Sequence, residues 1–181
     1  MNQNYLKSIL NAFLIMIVLT IILGLIYPLV IMGIGQVCFP YQANGSLIKK
    51  DGKIIGSSLI QQNFTQGKYF FGRPNKLSTI DTPTSSKMLK IIEARIKKEQ
   101  RLNLQPGKSV PIDLITDSGS SLDPDISPEA AYYQAKRISK VRGIPIAKVN
   151  QLININIKSR SLGILGQKTV NVLALNLALG K

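Results

Sequence analysis

The feature that most constrains this 181-residue chain is its uncharged run from Ile9 to Ile34, ILNAFLIMIVLTIILGLIYPLVIMGI. As a helix it would be about 39 Å long at about 1.5 Å per residue, longer than a bilayer core of about 30 Å, so it spans with some tilt. The run far exceeds the roughly 7–15 apolar residues of a signal-peptide core, and no small-x-small cleavage site follows it. A retained anchor is therefore predicted. Gly35-Gln36-Val37 ahead of Cys38 lacks the Leu and small residues of a lipoprotein site.

Pro28 sits inside the run and withholds the N–H that would meet the Gly24 carbonyl. Two readings stay open. In one, a neighbouring helix approaches at Gly24, Gly33 and Gly35. In the other, Pro28 ends the span near the interface with Tyr27 in the aromatic belt. Orientation is weakly signalled, because Lys7 favours a cytoplasmic N-terminus while Lys49, Lys50 and Lys53 pull the other way. Long domains translocate largely regardless of charge, so residues 1–8 are expected in the cytoplasm, 9–37 as the transmembrane helix and its exit, and 38–181 as an extracytoplasmic α+β domain.

Charge is concentrated beyond the run. The net charge is +14, and Lys7 is the one charged residue up to position 48. After Glu129 no acid occurs, while Lys136, Arg137, Lys140, Arg142, Lys148, Lys158, Arg160, Lys168 and Lys181 accumulate. A cationic face of this kind meets anionic lipid, nucleic acid or an acidic protein, or is simply solvated. There is no histidine, which excludes Ser-His-Asp triads, His proton shuttles and most zinc sites. The single Cys38 leaves the redox compartment open.

Local signals outline the domain. Asp51-Gly52 between Ser46–Lys50 and Lys53–Ser57 predicts a type I′ hairpin, and Asn44-Gly45 a turn before it. Asn44-Gly45-Ser46 and Asn63-Phe64-Thr65 match the glycosylation sequon, a pattern short enough to arise by chance. Residues 75–86 carry no period and read as an exposed loop. From Lys87 to Leu102, Met88, Ile91, Ile92, Arg95, Ile96 and Glu99 share one helical face. Val110–Thr116 alternates as a strand, with Ile112, Leu114 and Thr116 on one side. Ser127, Pro128 and Glu129 make an N-cap, first turn and favourable charge for a helix ending at Gly143, and a second helix starts near Pro145. Leu173, Leu175, Leu177 and Leu179 alternate in the last segment, which predicts a buried strand over Val170–Leu179. The fold class is thus membrane-anchored α+β: one N-terminal transmembrane helix followed by one mixed α/β soluble domain.

Candidate chemistry is sparse. Asp113, Asp117, Asp123 and Asp125 could be read as a metal cluster, but their irregular spacing suits a loop of helix-capping acids. Ser118-Gly-Ser-Ser121 precedes a helix yet lacks the GK[ST] of a phosphate-binding P-loop. Ser139, Gly143 and Val149 fit a helix-turn-helix spacing, which would make the chain a membrane-tethered DNA-binding regulator. Its second helix, however, brings only Lys148 as a base-reading cation.

Several segments together resemble one family, the C chain of the Kdp potassium-transporting ATPase: LIYPLV (25–30), FPYQANGSLI (39–48), IGSSLIQQNFT (55–65), YFFGRP (69–74), VPIDLIT (110–116), SGSSLDPDISPEAAYYQAKRI (118–138) and VNVLALNLAL (170–179). The resemblance implies a non-catalytic subunit of the bacterial inner membrane, assembled with a potassium-selective pore subunit and a P-type pump subunit, and no nucleic-acid partner. It implies a role in stabilising that complex and in raising the pump subunit's affinity for ATP, so that no cofactor is tightly bound and ATP is met only within the complex. Gln134 matches a glutamine of the family's helix and is the candidate residue for the ATP effect. With the domain outside, it faces away from cytosolic ATP, so an indirect effect fits better. The chain departs from the family pattern at Phe71, where histidine commonly precedes GRP, in NKLSTIDTPTSSK, which replaces a Ser/Gly-rich stretch, and in a final ALGK in place of ALD.

Overall fold

The computed structural model describes residues 3–75 and 85–180, which part into two compact units between Leu47 and Ile48. The expected loop over residues 75–86 lies mostly outside the described residues. In the first unit, helix α1 (Gln3–Ile21), a π turn (Ile22–Ile26) and helix α2 (Tyr27–Cys38) follow without a break. The stretch Tyr5–Cys38 is apolar and long enough to cross a membrane, with its side chains exposed.

Pro28 does not end this helix. It occupies the first turn of α2, and the helix continues to Cys38. The ring is accommodated one turn earlier, where the Tyr27 N–H reaches back five residues to the Ile22 carbonyl. A helix has to widen locally where proline cannot bond and its ring presses on the preceding turn, and a π turn supplies that widening. A short helix, α3 (Pro40–Ala43), closes the unit.

In the second unit, strands β1 (Leu47–Lys50) and β2 (Lys53–Ser57) form the expected hairpin, with Asp51 and Gly52 at φ 51° and 75°. Helix α4 (Ser86–Leu102) begins where the Ser85 hydroxyl accepts the Met88 N–H at 3.1 Å. Its inward residues are those at the predicted spacing, Met88, Ile91, Ile92, Arg95, Ile96 and Glu99. Helix α5 (Pro128–Arg142) starts at the Ser127 cap and stops at Gly143, whose φ of 65° suits a residue without Cβ. Helix α6 (Ile146–Asn156) follows from Pro145. Strands β3 (Asp125–Ile126), β4 (Ile157–Lys158) and β5 (Thr169–Asn171) form an antiparallel sheet in the order β3-β5-β4, with Val170 opposite both Ile126 and Ile157. Phe70, Ile126, Ile138, Val149, Ile153, Val170 and Leu175 fill the core between this sheet and the helices.

Of two further expected strands, one is absent and the other is cut short. Val110–Thr116 folds as a 3₁₀ turn at Ile112–Leu114. The Ile112 carbonyl accepts the N–H groups of Ile115 and Thr116 and the Thr116 hydroxyl, so its bonding is closed locally. Ile112 is 66% exposed while Leu114 is 4% exposed, against the shared face that alternation predicted. The C-terminal run is a strand only through Asn171 and then becomes helix α7 (Val172–Ala178). Its buried residues are Val172, Leu173, Leu175, Asn176 and Leu179. That is a helical stripe, and Asn171 caps it by accepting the Ala174 N–H at 3.0 Å.

Candidate functional site

The second unit is organised around a short non-regular segment, Gly67–Phe71, which enters the core between α5 and α7. Non-regular backbone inside a protein must find partners for its N–H and C=O groups. Here side-chain amides supply them. Asn176 accepts the Phe70 N–H at 2.8 Å and donates to the Phe70 carbonyl at 2.9 Å. Gln134 does the same for Phe71, at 2.8 and 3.0 Å. Each amide replaces the pair of bonds that a neighbouring strand would make.

Gln134 is 0% exposed. Its oxygen also accepts from Arg137 Nη2 at 2.8 Å, and its nitrogen donates to the Ala130 carbonyl at 3.2 Å. Both donors and both acceptor positions of the amide are thus engaged within the domain. Arg137, one turn later, donates to Gly67 and Tyr69 carbonyls and to Asn103 Oδ1, and its guanidinium lies 4.4 Å from the Phe71 ring centre. Phe71 thus offers Arg137 an aromatic face. Arg142 reaches the Lys68 and Leu179 carbonyls.

The network continues into α4 through Asn103, which donates to Glu99 Oε2 at 2.9 Å. Burial pushes the Glu99 carboxyl above its ordinary value, against the opposing pull of Asn103, Lys98 and Arg137. Burial also lowers Arg137 to about 10, with Glu99 acting in the other direction. For both groups desolvation outweighs their mutual attraction, the usual balance for buried charges.

Next to this network lies a cleft of about 680 Å³ between α4 and residues 61–75, with Phe64, Phe71, Met88, Ile91, Leu102 and Leu114 in its walls. Of the four candidate aspartates only Asp117 lines it, and three of the four are arginine partners. Asp113 meets Arg73 at 3.0 Å and accepts the Ser127 N–H, and Asp123 meets Arg73 at 3.4 Å. Asp117 holds Arg95 through both of its oxygens. Asp125 faces Lys158 at 3.7 Å and Asn171 at 2.9 Å. Their role is mainly pairing rather than the helix capping expected, and no metal-holding group of three such residues occurs among the described residues. Asn176 and Asn103 were not singled out from sequence, and Arg137 stood there only as one cation of a basic face. The one signal for them was polar residues recurring on otherwise apolar helical faces.

A single apolar span long enough to cross a membrane, joined to a mixed α+β domain, is the architecture of a membrane-anchored protein. The family described as K+-transporting ATPase, c chain, matches residues 9–181. The chain is 45% identical to the potassium-transporting ATPase KdpC subunit of Bradyrhizobium diazoefficiens, over 97% of this chain and 98% of the relative. It is 45% identical to that of Rhodopseudomonas palustris BisB5, over 96% of each, and 44% identical to that of Caldanaerobacter subterraneus, over 90% and 89%. The chain belongs to the KdpC family, the c chains of K+-transporting ATPases, and is a non-catalytic subunit of such a complex. The reading as a DNA-binding regulator finds no support, since the family match runs through α5 and α6. Val149 is wholly buried at the α5–α6 turn and the Ser139 hydroxyl bonds the Ile144 carbonyl.

Proposed function

We propose that the chain stabilises a potassium uptake complex, in contact with a pore subunit and a P-type pump subunit, and raises the pump's affinity for ATP from the far side of a bacterial inner membrane. The observation that carries this reading is the family match from residue 9 to residue 181. The N-terminus is cytoplasmic and the domain extracytoplasmic, so ATP binds the pump subunit and is never held by this chain. The influence is then a coupling free energy, typically about 1–3 kcal/mol or roughly 5- to 150-fold in affinity.

Gln134 acts in this scheme as a positioning residue. It fixes the Phe71 backbone, so its removal loosens Gly67–Phe71 and whatever that segment braces. Asn176 braces Phe70 from α7 without touching Gln134's own partners, which provides the control.

ATP titration of complexes with wild-type chain, without the chain, and with Gln134→Ala or Asn176→Ala tests the reading. The deleted complex should show a raised KM for ATP, and both variants part of that rise. An unchanged KM in the deleted complex reduces the role to assembly. A rise confined to Gln134→Ala assigns the effect to that side chain itself. Orientation is checked with alkaline phosphatase fused after Lys181, which should be active; activity from a cytoplasmic reporter alone reverses the topology.

A further inference from the structure

Strands β4 and β5 are joined by a ten-residue arm, 159–168, whose tip reads Ser161-Leu-Gly-Ile-Leu165. The tip is a closed turn. Ser161 and Leu165 exchange both backbone bonds at 2.9 Å, and the Gly163 N–H meets the Arg160 carbonyl at 3.1 Å. Its base is firm, since β5 is the central strand and Val170 is wholly buried. Yet the apolar side chains of the tip point away from the domain: Leu162 is 88% exposed, Ile164 75% and Leu165 58%.

Leu162 also has φ 54°, in the left-handed region that a bulky residue seldom enters and a glycine enters freely. The strain is tolerated at a position where the side chain touches no core, and strain of this sort points to use of the side chain. Arg160 and Lys168 flank the tip without a carboxylate partner among the described residues. Beside it is a recess of about 650 Å³ whose walls include Pro128, Glu129 and Gln167 together with Arg160 and Lys168 themselves.

We propose that this arm is a docking knob by which the chain seats on another protein subunit of its complex, in an apolar hollow edged with carboxylates. The proposal rests on the reading that the chain works in a multi-subunit assembly. A knob beside a recess matches a shaped protein surface. A bilayer offers no relief to fill the recess. Two or three aliphatic anchors within a charged rim have the make-up of an interface centre, and a turn already closed by its own hydrogen bonds loses little freedom on docking. The carboxylates complement Arg160 and Lys168.

The test uses full-length tagged chain expressed with its complex and extracted in mild detergent. Ile164→Asp and Leu162→Gly are compared with wild type for recovery of partner subunits and for melting temperature. Leu162→Gly removes the side chain while relieving the strained φ, so its fold is secure. Both variants are expected to melt as wild type does and to recover at least tenfold less partner. In parallel, Ile164→Cys in a Cys38→Ser background carries a benzophenone photocrosslinker in native membranes, and should yield an adduct with another subunit. Full recovery from both variants, or an adduct formed only with lipid or not at all, overturns the proposal. Failure of the wild-type chain to bring down any subunit sinks the assembly reading itself, and the knob with it.

Discussion

Between residues 67 and 71 the backbone runs through the core with its N–H and C=O groups held by Gln134, Arg137 and Asn176; between residues 159 and 168 it projects outward, bonded only to itself, with leucine and isoleucine in solvent. Both segments lack regular structure, and each inverts the usual placement of polar and apolar groups. The first brings polar side chains inside because irregular backbone there has no strand to pair with. The second leaves apolar side chains outside, where no intramolecular contact rewards them. Changes to the first should therefore act on folding, and changes to the second on association.

The sharpest break in that contrast is Arg137→Met. It removes the bonds to Gly67, Tyr69, Asn103 and Gln134, and it takes away one of the two cations, with Lys98, whose attraction opposes the burial of Glu99. Each buried acceptor left without its donor costs about 1–3 kcal/mol, so the loss of several together comes to about 3–5 kcal/mol. Urea unfolding of the detergent-solubilised chain, followed by circular dichroism, should show a loss of that order. A loss under about 1 kcal/mol would mean that the network does not hold the domain together.

Gln134→Ala and Asn176→Ala come next, at about 2–3 kcal/mol each, because each strands a backbone N–H and carbonyl, half-buried at Phe71 and buried at Phe70. Phe70 and Phe71 are adjacent, so freeing one loosens the other. The double variant should fall short of the sum by about 1 kcal/mol. Strict additivity would show two independent braces.

Glu99→Gln sharpens the electrostatic side of the clamp. Burial raises the carboxyl above 4.5 in the folded state, so its stabilising contribution is complete below that value and is lost as pH rises through the folded pKa. Glutamine has no such loss. The melting temperature of the variant should therefore gain on wild type as pH climbs from 4 upward and level off once Glu99 is ionised. A difference that is constant with pH would show that Glu99 titrates alike in both states.

The smallest effect belongs to the arm. In Leu162→Gly, relief of a left-handed leucine, worth about 1–2 kcal/mol, is offset by the extra unfolded-state freedom of glycine, about 0.5–1 kcal/mol. Stability should change by less than about 1 kcal/mol, while partner recovery drops. A large loss of stability would place Leu162 with the core residues and erase the contrast.

Much of the architecture was legible in sequence because its signals are local. The apolar span needs only its length and lack of charge, the β1–β2 hairpin needs Asp51-Gly52, and α5 is bounded by Ser127-Pro128 and Gly143, whose backbone preferences hold in almost any surroundings. Family membership was legible for a similar reason, since it rests on an ordered set of short stretches. The role of Gln134 was not, because its position on α5 leaves open whether the amide faces solvent or core.

Tertiary structure decided what depended on distant partners. Val170–Leu179 satisfies both a period of two and a period near 3.6, and only pairing of β5 with β3 and β4, ending at Asn171, made the remainder helical. Val110–Thr116 alternates like a strand, yet no strand pairs with it among the described residues, and the Ile115 and Thr116 N–H groups close on Ile112 instead. Leu162 and Leu175 are the same residue in similarly apolar text, one almost fully exposed and the other wholly buried. Composition sets how much apolar surface a chain must place, but which part is buried depends on the surface that packs against it, and that surface is brought up by residues far away in the chain.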